Sequence, residues 1–132
     1  MKFKENCIFC KIANKRIPAE IIEETEDFVV IKDINPIAPI HLLIISKSHY
    51  DSVLDVECKD GADKSGITAD NGDMEDRLGS ELFGILTSLA KKFNVENKGF
   101  RTVINTKEDG GQTVNHLHVH FLAGRGFGWP PG

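Results

Sequence analysis

Residues 116–120 read His116, Leu117, His118, Val119, His120, and this alternation constrains the fold more than any other feature of the chain. Successive side chains of an extended strand point to opposite faces, so the three imidazoles share one face and Leu117 and Val119 the other. Three of the five histidines fall here, too regular a pattern for a solvent face that happens to be histidine-rich. The strand carrying them is expected over 114–122. A partner strand is expected over 100–106, across the turn-forming stretch Glu108, Asp109, Gly110, Gly111, Gln112.

The rest of the chain supplies a sheet and a cover for it. Residues 21–24 and 28–32 read as strands on either side of the turn-like Glu26 and Asp27. Residues 41–46 form a near-continuous apolar run that suits a buried central strand. The approach to it, residues 35–39, must be irregular because Pro36 and Pro39 cannot donate to a ladder. Met74, Leu78, Leu82, Ile85, Leu86, Leu89 and Phe93 recur at steps of three and four, giving one apolar helical face that should pack on the sheet. Asp73 can cap that helix, with Glu75 and Asp76 in its first turn. Residues 7–14 read as a turn or short helix ahead of Pro18. The layout is α+β with a mainly antiparallel sheet, and 132 residues without repeat or linker suit one domain, 1–132.

The stretch 55–73 is polar, rich in Gly and Asp, and lacks periodicity, as an exposed loop would. Asp70, Asn71, Gly72 and Asp73 resemble part of a calcium loop, but Ile67 stands where EF-hand spacing requires Asp. The net charge of -4 and the lack of a basic run argue against a polymeric nucleic acid partner. No apolar run reaches the roughly 18–20 residues of a membrane span. No apolar signal core follows the two lysines near the N-terminus. The expected location is therefore cytoplasmic. In a reducing compartment Cys7 and Cys10, two residues apart, read as a metal pair or a redox pair, with packed free thiols as the alternative.

At roughly 3.3 Å per residue, His116 and His120 lie about 13 Å apart along a strand, too far for one ion to take all three imidazoles. Two neighbours plus a distant carboxylate could make an iron-type triad, yet no Asp or Glu follows His120. Phosphorus chemistry fits better. A neutral imidazole is a competent nucleophile near pH 7, and its neighbours can donate to phosphoryl oxygens and protonate a leaving group.

These residues resemble the histidine triad (HIT) family, whose hallmark is His-x-His-x-His followed by apolar residues. Cys7-Ile8-Phe9-Cys10-Lys11-Ile12 with Ile17-Pro18-Ala19 is similar to the family's N-terminal segment. Asp33-Ile34-Asn35-Pro36, then Ala38-Pro39 and His41-Leu42-Leu43-Ile44-Ile45, is similar to its second signature. Asn105 with Gly110-Gly111-Gln112-Thr113-Val114 is similar to its third, and Trp129-Pro130-Pro131-Gly132 resembles the tail of the Hint branch. The likeness covers nearly the whole chain except 55–73.

The resemblance implies a five-stranded antiparallel sheet with one main helix and a short N-terminal helix, and a homodimer. It implies hydrolysis of purine nucleoside phosphoramidates and aminoacyl adenylates, with dinucleoside polyphosphate hydrolysis, or nucleotide binding with incidental hydrolysis, as alternatives. His118 would be the nucleophile, forming a nucleotidyl-histidine. His120 would contact the phosphoryl and bridging atoms, while His116 and His41 would belong to the proton-handling network. Asn105, Gly111, Gln112 and Thr113 would hold the phosphate, and Asp33 the ribose hydroxyls. Ile8, Phe9, Ile34 and Leu43 would sandwich the base, and Trp129 would reach the partner subunit's site. In some relatives Cys7, Cys10, His49 and His116 would bind a structural zinc, the only cofactor implied. Thr113 stands where many Hint members carry Ser, Asn115 where an aromatic is common, and the polar segment is longer than usual.

Overall fold

The computed structural model describes residues 2–58 and 74–132. Helix α1 (Ile8–Ala13) leads into strands β1 (Ile21–Glu24), β2 (Phe28–Lys32) and β3 (Ile40–Ser46). A 3-10 turn (Val53–Asp55), helix α2 (Met74–Lys92), strand β4 (Arg101–Val103), the short helix α3 (Lys107–Gly110) and strand β5 (His118–Ala123) follow. The sheet runs β1-β2-β3-β5-β4, and every pairing is antiparallel. The expected five-stranded antiparallel fold is thus present. Among the described residues no helix is long and apolar enough to cross a membrane.

Alternation explains the two-sided core. Phe28, Val30, Leu42, Ile44, Val119 and Phe121 point to the face that α2 covers, where Leu78, Ile85 and Leu89 meet them. Val29, Ile31, Leu43 and Ile45 point the other way, toward Phe9, Cys10 and Ala13 around α1. β2 and β3 are apolar along their length because both faces are covered. β5 differs: its α2 face is apolar, and its other face carries His118 and His120, opposite Ile45 and Leu43 of β3. Among the described residues the short α1 covers one end of that face.

Three boundaries depart from expectation. β5 begins at His118, not at 114, because loop contacts take the preceding backbone groups. Leu117 N–H donates to Tyr50 O, and Gln112 Nε2 donates to the carbonyls of Asp51 and Val114. β4 is three residues long rather than seven. The expected turn at 108–112 is a helical turn, α3, ended by Gly111 in the left-handed conformation (φ 79°). The polar stretch expected over 55–73 lies outside the described residues from 59 onward, as does the Asp73 cap. Ahead of it the 3-10 turn was not foreseen; Ser52 Oγ accepts from Leu54 N–H and caps it.

Gly124 closes β5 at φ +96°, where a Cβ would lie 2.7 Å from Pro39 Cβ. Gly124→Ala therefore combines left-handed strain with a clash. We expect it to lower the unfolding free energy by about 2 kcal/mol in urea titrations. Gly126→Ala, which meets nothing within 4 Å, should change it by no more than about 0.5 kcal/mol.

Candidate active site and metal centre

The imidazole face holds two side-chain clusters with His118 between them. At one end Cys7, Cys10, His49 and His116 bring their ligand atoms within 4.8 Å of one another. Cys7 is the N-cap of α1, so its Sγ accepts from Cys10 N–H at 3.3 Å, while Cys10 Sγ accepts from Lys4 N–H at 3.4 Å. His49 comes from the loop after β3. The imidazole partners fix the tautomers. His116 Nε2–H donates to Ser46 O at 2.7 Å, and His49 Nε2–H donates to Asp51 Oδ1 at 2.6 Å.

Both Nδ1 atoms therefore face inward, 3.2 Å apart. Cys7 Sγ lies 3.3 Å from His116 Nδ1, and Cys10 Sγ lies 3.2 Å from His49 Nδ1. Bond lengths of 2.0–2.3 Å give a tetrahedral site edges of roughly 3.3–3.8 Å, close to these separations. Without a cation, burial and the neighbouring Cys7 push the Cys10 thiol up to about 11. Burial also pulls His116 down to about 4, which keeps its ring a neutral ligand. Two thiols, two imidazoles and a carboxylate behind one of them are the donor set of a closed, structural metal site.

His118 is held through the same segment. Its Nδ1–H donates to His116 O at 2.6 Å, so the lone pair sits on Nε2. Phe9 packs edge-on against it at 5.0 Å between centroids, and the residue is 6% exposed.

At the far end His41 Nδ1 accepts from Ile37 N–H at 3.1 Å, which places its proton on Nε2. That N–H faces His120 Nδ1 at 2.9 Å and Asp33 Oδ2 at 3.3 Å. His120 Nδ1 is thus the acceptor, and its own proton lies on Nε2. Burial, then the charges of His118 and His41, hold His120 down to about 4, and burial lowers His41.

The other expected residues take varied positions. Asp33 Oδ1 accepts from Asn35 N–H. Phe9 and Leu43 are almost enclosed, whereas Ile8 (53% exposed) and Ile34 (91%) present apolar surface. Asn105 is half-buried and lines an open cleft of about 700 Å³ together with Arg101, Leu122, Arg125 and the tail. Thr113 is exposed. The N–H groups of Gly111 and Gln112 bond the carbonyls of Glu108 and Lys107, and the Gln112 side chain bridges Lys107, Asp51 and Val114. These two residues shape the loop, leaving neither N–H aimed at a ligand. Trp129 is 83% exposed.

Four contributors escaped the sequence reading. Ser46 and Asp51 orient the two histidines of the cysteine cluster. The Ile37 peptide orients His41, and the Arg125 guanidinium donates to Ile37 O at 3.0 Å. Only Asp51, two residues from His49, leaves any trace in sequence spacing. Asp33 supplies the acid that the chain lacks after His120.

Comparisons place this arrangement among known proteins. The HIT domain profile matches residues 14–127. The chain is 40% identical over 118 residues to Protein HitA of Neisseria gonorrhoeae, covering 89% of this chain and 95% of that one. It is 39% identical over 125 residues to a 14 kDa zinc-binding protein of Zea mays, covering 95% and 87%. The crystal structure of a HIT family hydrolase from Legionella pneumophila superposes with a TM-score of 0.80 at 37% identity, covering 96% and 100%. By sequence and by fold, the chain belongs to the HIT domain family.

Proposed function

We propose that the protein hydrolyses purine nucleoside phosphoramidates and related adenylates through a nucleotidyl-histidine on His118. The observation that carries this reading is the bond from His118 Nδ1–H to His116 O, which leaves Nε2 as a nucleophile that needs no deprotonation. In the proposed reaction Nε2 forms a bond to phosphorus as the P–N bond breaks. The amine leaves with a proton taken up from solvent, and water then cleaves the nucleotidyl-histidine to release the nucleoside monophosphate and return a proton to solvent. His120, with Nδ1 occupied by His41, presents Nε2–H to the phosphoryl and bridging atoms. Asn105 and the Thr113 hydroxyl contact the phosphate, and Asp33 accepts the ribose hydroxyls. Ile8 and Ile34 offer exposed apolar surface for the base, with Phe9 and Leu43 as its buried backing.

The reading includes a homodimer. β4 is an edge strand flanked by the exposed Phe100 and Ile104, with Trp129 also exposed, and such an edge invites pairing with a second copy. Zinc in the Cys7, Cys10, His49 and His116 cluster would fasten α1 to the segment that holds His118 and supply no chemistry to the reaction.

Wild type should release AMP from an adenosine phosphoramidate, and His118→Ala should lower that rate by at least about 10³-fold while still binding AMP. No release from a folded, AMP-binding wild type, with cleavage of a dinucleoside polyphosphate instead, would shift the reading to that substrate class.

As purified, the chain should carry zinc by elemental analysis. Cys10→Ser should lose it and lower the melting temperature, whereas His118→Ala should keep both.

His120 gives a pH dependence with a definite sign. The folded ring takes a proton only near pH 4, against about 6.5 when unfolded. The unfolded state therefore binds more protons between those values, and stability falls as pH drops from 6.5 toward 4. We expect His120→Asn to remove part of that loss, on the order of 1–3 kcal/mol, in urea midpoints compared at pH 7 and 4.5.

A further inference from the structure

Cys7 and Cys10 stand three positions apart at the start of α1, Cys7 as its N-cap. Helical geometry puts such Cα atoms about 5 Å apart, inside the range of roughly 4.4–6.8 Å that a disulfide needs. Both sulfurs contact the same atom, His116 Nδ1, at 3.3 and 3.5 Å. They lie within 4.8 Å of each other. The two thiols differ in access. Cys10 is fully enclosed, whereas Cys7 is 8% exposed. Cys7 also lines an open pocket of about 320 Å³ with His49, Thr113 and Asn115. One thiol that solvent reaches, with a second thiol close behind it, is the arrangement of an oxidisable cysteine and its resolving partner.

We propose that Cys7 is a modification site for hydroperoxides, with Cys10 as its resolving thiol, and that a disulfide and a bound cation are alternative states of the cluster. A hydroperoxide enters through the pocket. Cys7 Sγ bonds to one peroxide oxygen as the O–O bond breaks, and the thiol proton leaves with the other oxygen. For hydrogen peroxide the products are a Cys7 sulfenic acid and water. Cys10 Sγ then bonds to Cys7 Sγ, the S–O bond breaks, and the Cys10 proton leaves with the hydroxyl as a second water. The two thiols have lost two electrons and the peroxide has gained them. In the zinc-loaded cluster the thiol protons have already gone to solvent, so two protons return from solvent as the ion leaves. Sulfurs joined at about 2.05 Å no longer span an ion, and thiol–disulfide exchange with a reductant restores the cluster.

The consequence for turnover rests on the hydrolase reading. His116 contacts both sulfurs through its ring and holds His118 Nδ1–H through its carbonyl. Closing the disulfide rearranges the neighbours of that ring and lowers the rate of AMP release.

The test uses the full zinc-loaded chain carrying Cys58→Ser, which removes the exposed thiol. After hydrogen peroxide, tryptic peptide 5–11, which carries both cysteines, should lose two hydrogens by mass and regain them with a dithiol. A chromophoric chelator should register one zinc released for each disulfide formed. A cyclic 1,3-dione present during oxidation should label Cys7 and spare Cys10. In Cys10→Ser the sulfenic acid should persist at Cys7 and label more fully. Both thiols surviving excess peroxide, dione label on Cys10 of the parent, or zinc retained by the disulfide form each overturns the proposal. If the disulfide forms with zinc release and AMP release is unchanged, the modification site stands and its link to His118 falls. If the reduced chain releases no AMP from a phosphoramidate, the hydrolase reading falls, while the mass, zinc and labelling results still decide the thiol chemistry.

Discussion

The whole site depends on the environment of one residue, His116. Its ring is fully buried, with Nε2–H bonded to Ser46 O and Nδ1 turned toward two thiols and a second imidazole. Its carbonyl accepts the Nδ1–H of His118. One residue thus joins the N-terminal helix to the sheet and sets which nitrogen of its neighbour keeps a lone pair. A buried polar group is tolerated only when its bonds are made, and here each bond made by His116 also positions something else. A disturbance at the cysteines is therefore transmitted to His118 through a single peptide unit.

The unequal covering of the sheet creates the space for chemistry. α2 lies over one face and supplies Leu78, Ile85 and Leu89 to a continuous apolar cluster. Among the described residues α1 lies over one end of the other face and seals Val29, Ile31, Leu43 and Ile45, while an open cleft lies along Arg101, Val103, Asn105 and Leu122. Imidazoles suit that border. They are apolar enough to back onto Phe9 and Leu43, yet each retains a nitrogen for partners. Burial that keeps His116 and His120 neutral is the same burial that orients their rings.

Much of this was legible in the sequence. Period-two alternation gave the faces of β5, the near-continuous apolar run marked β3 as a buried central strand, and the steps of three and four gave the buried face of α2. The spacing of Cys7 and Cys10 flagged a metal or redox pair, and the family likeness supplied His49 and His116, which the fold brings beside them. Strand lengths were not legible, because they depend on which backbone groups a loop claims: Tyr50 O and the Gln112 side chain stop β5 at His118. Nor were Ser46, Ile37 and Arg125, which act through main-chain atoms or bind them and so leave no pattern in residue type. Asp33 was expected near a ribose, but its nearness to His41 and His120 follows from the antiparallel register of β2, β3 and β5, which no local window contains.

The contact between Cys7 and His116 joins residues 109 positions apart. A chain made from its N-terminus emerges with both cysteines and His49 long before the imidazole that completes the cluster, and His118 follows two residues later. Until then the early thiols have no closing partner, and contacts of such separation form late because a long loop must be ordered first. The cluster therefore reports on synthesis. Only a chain translated as far as His116 can close it, so closure waits until just two residues remain before His118.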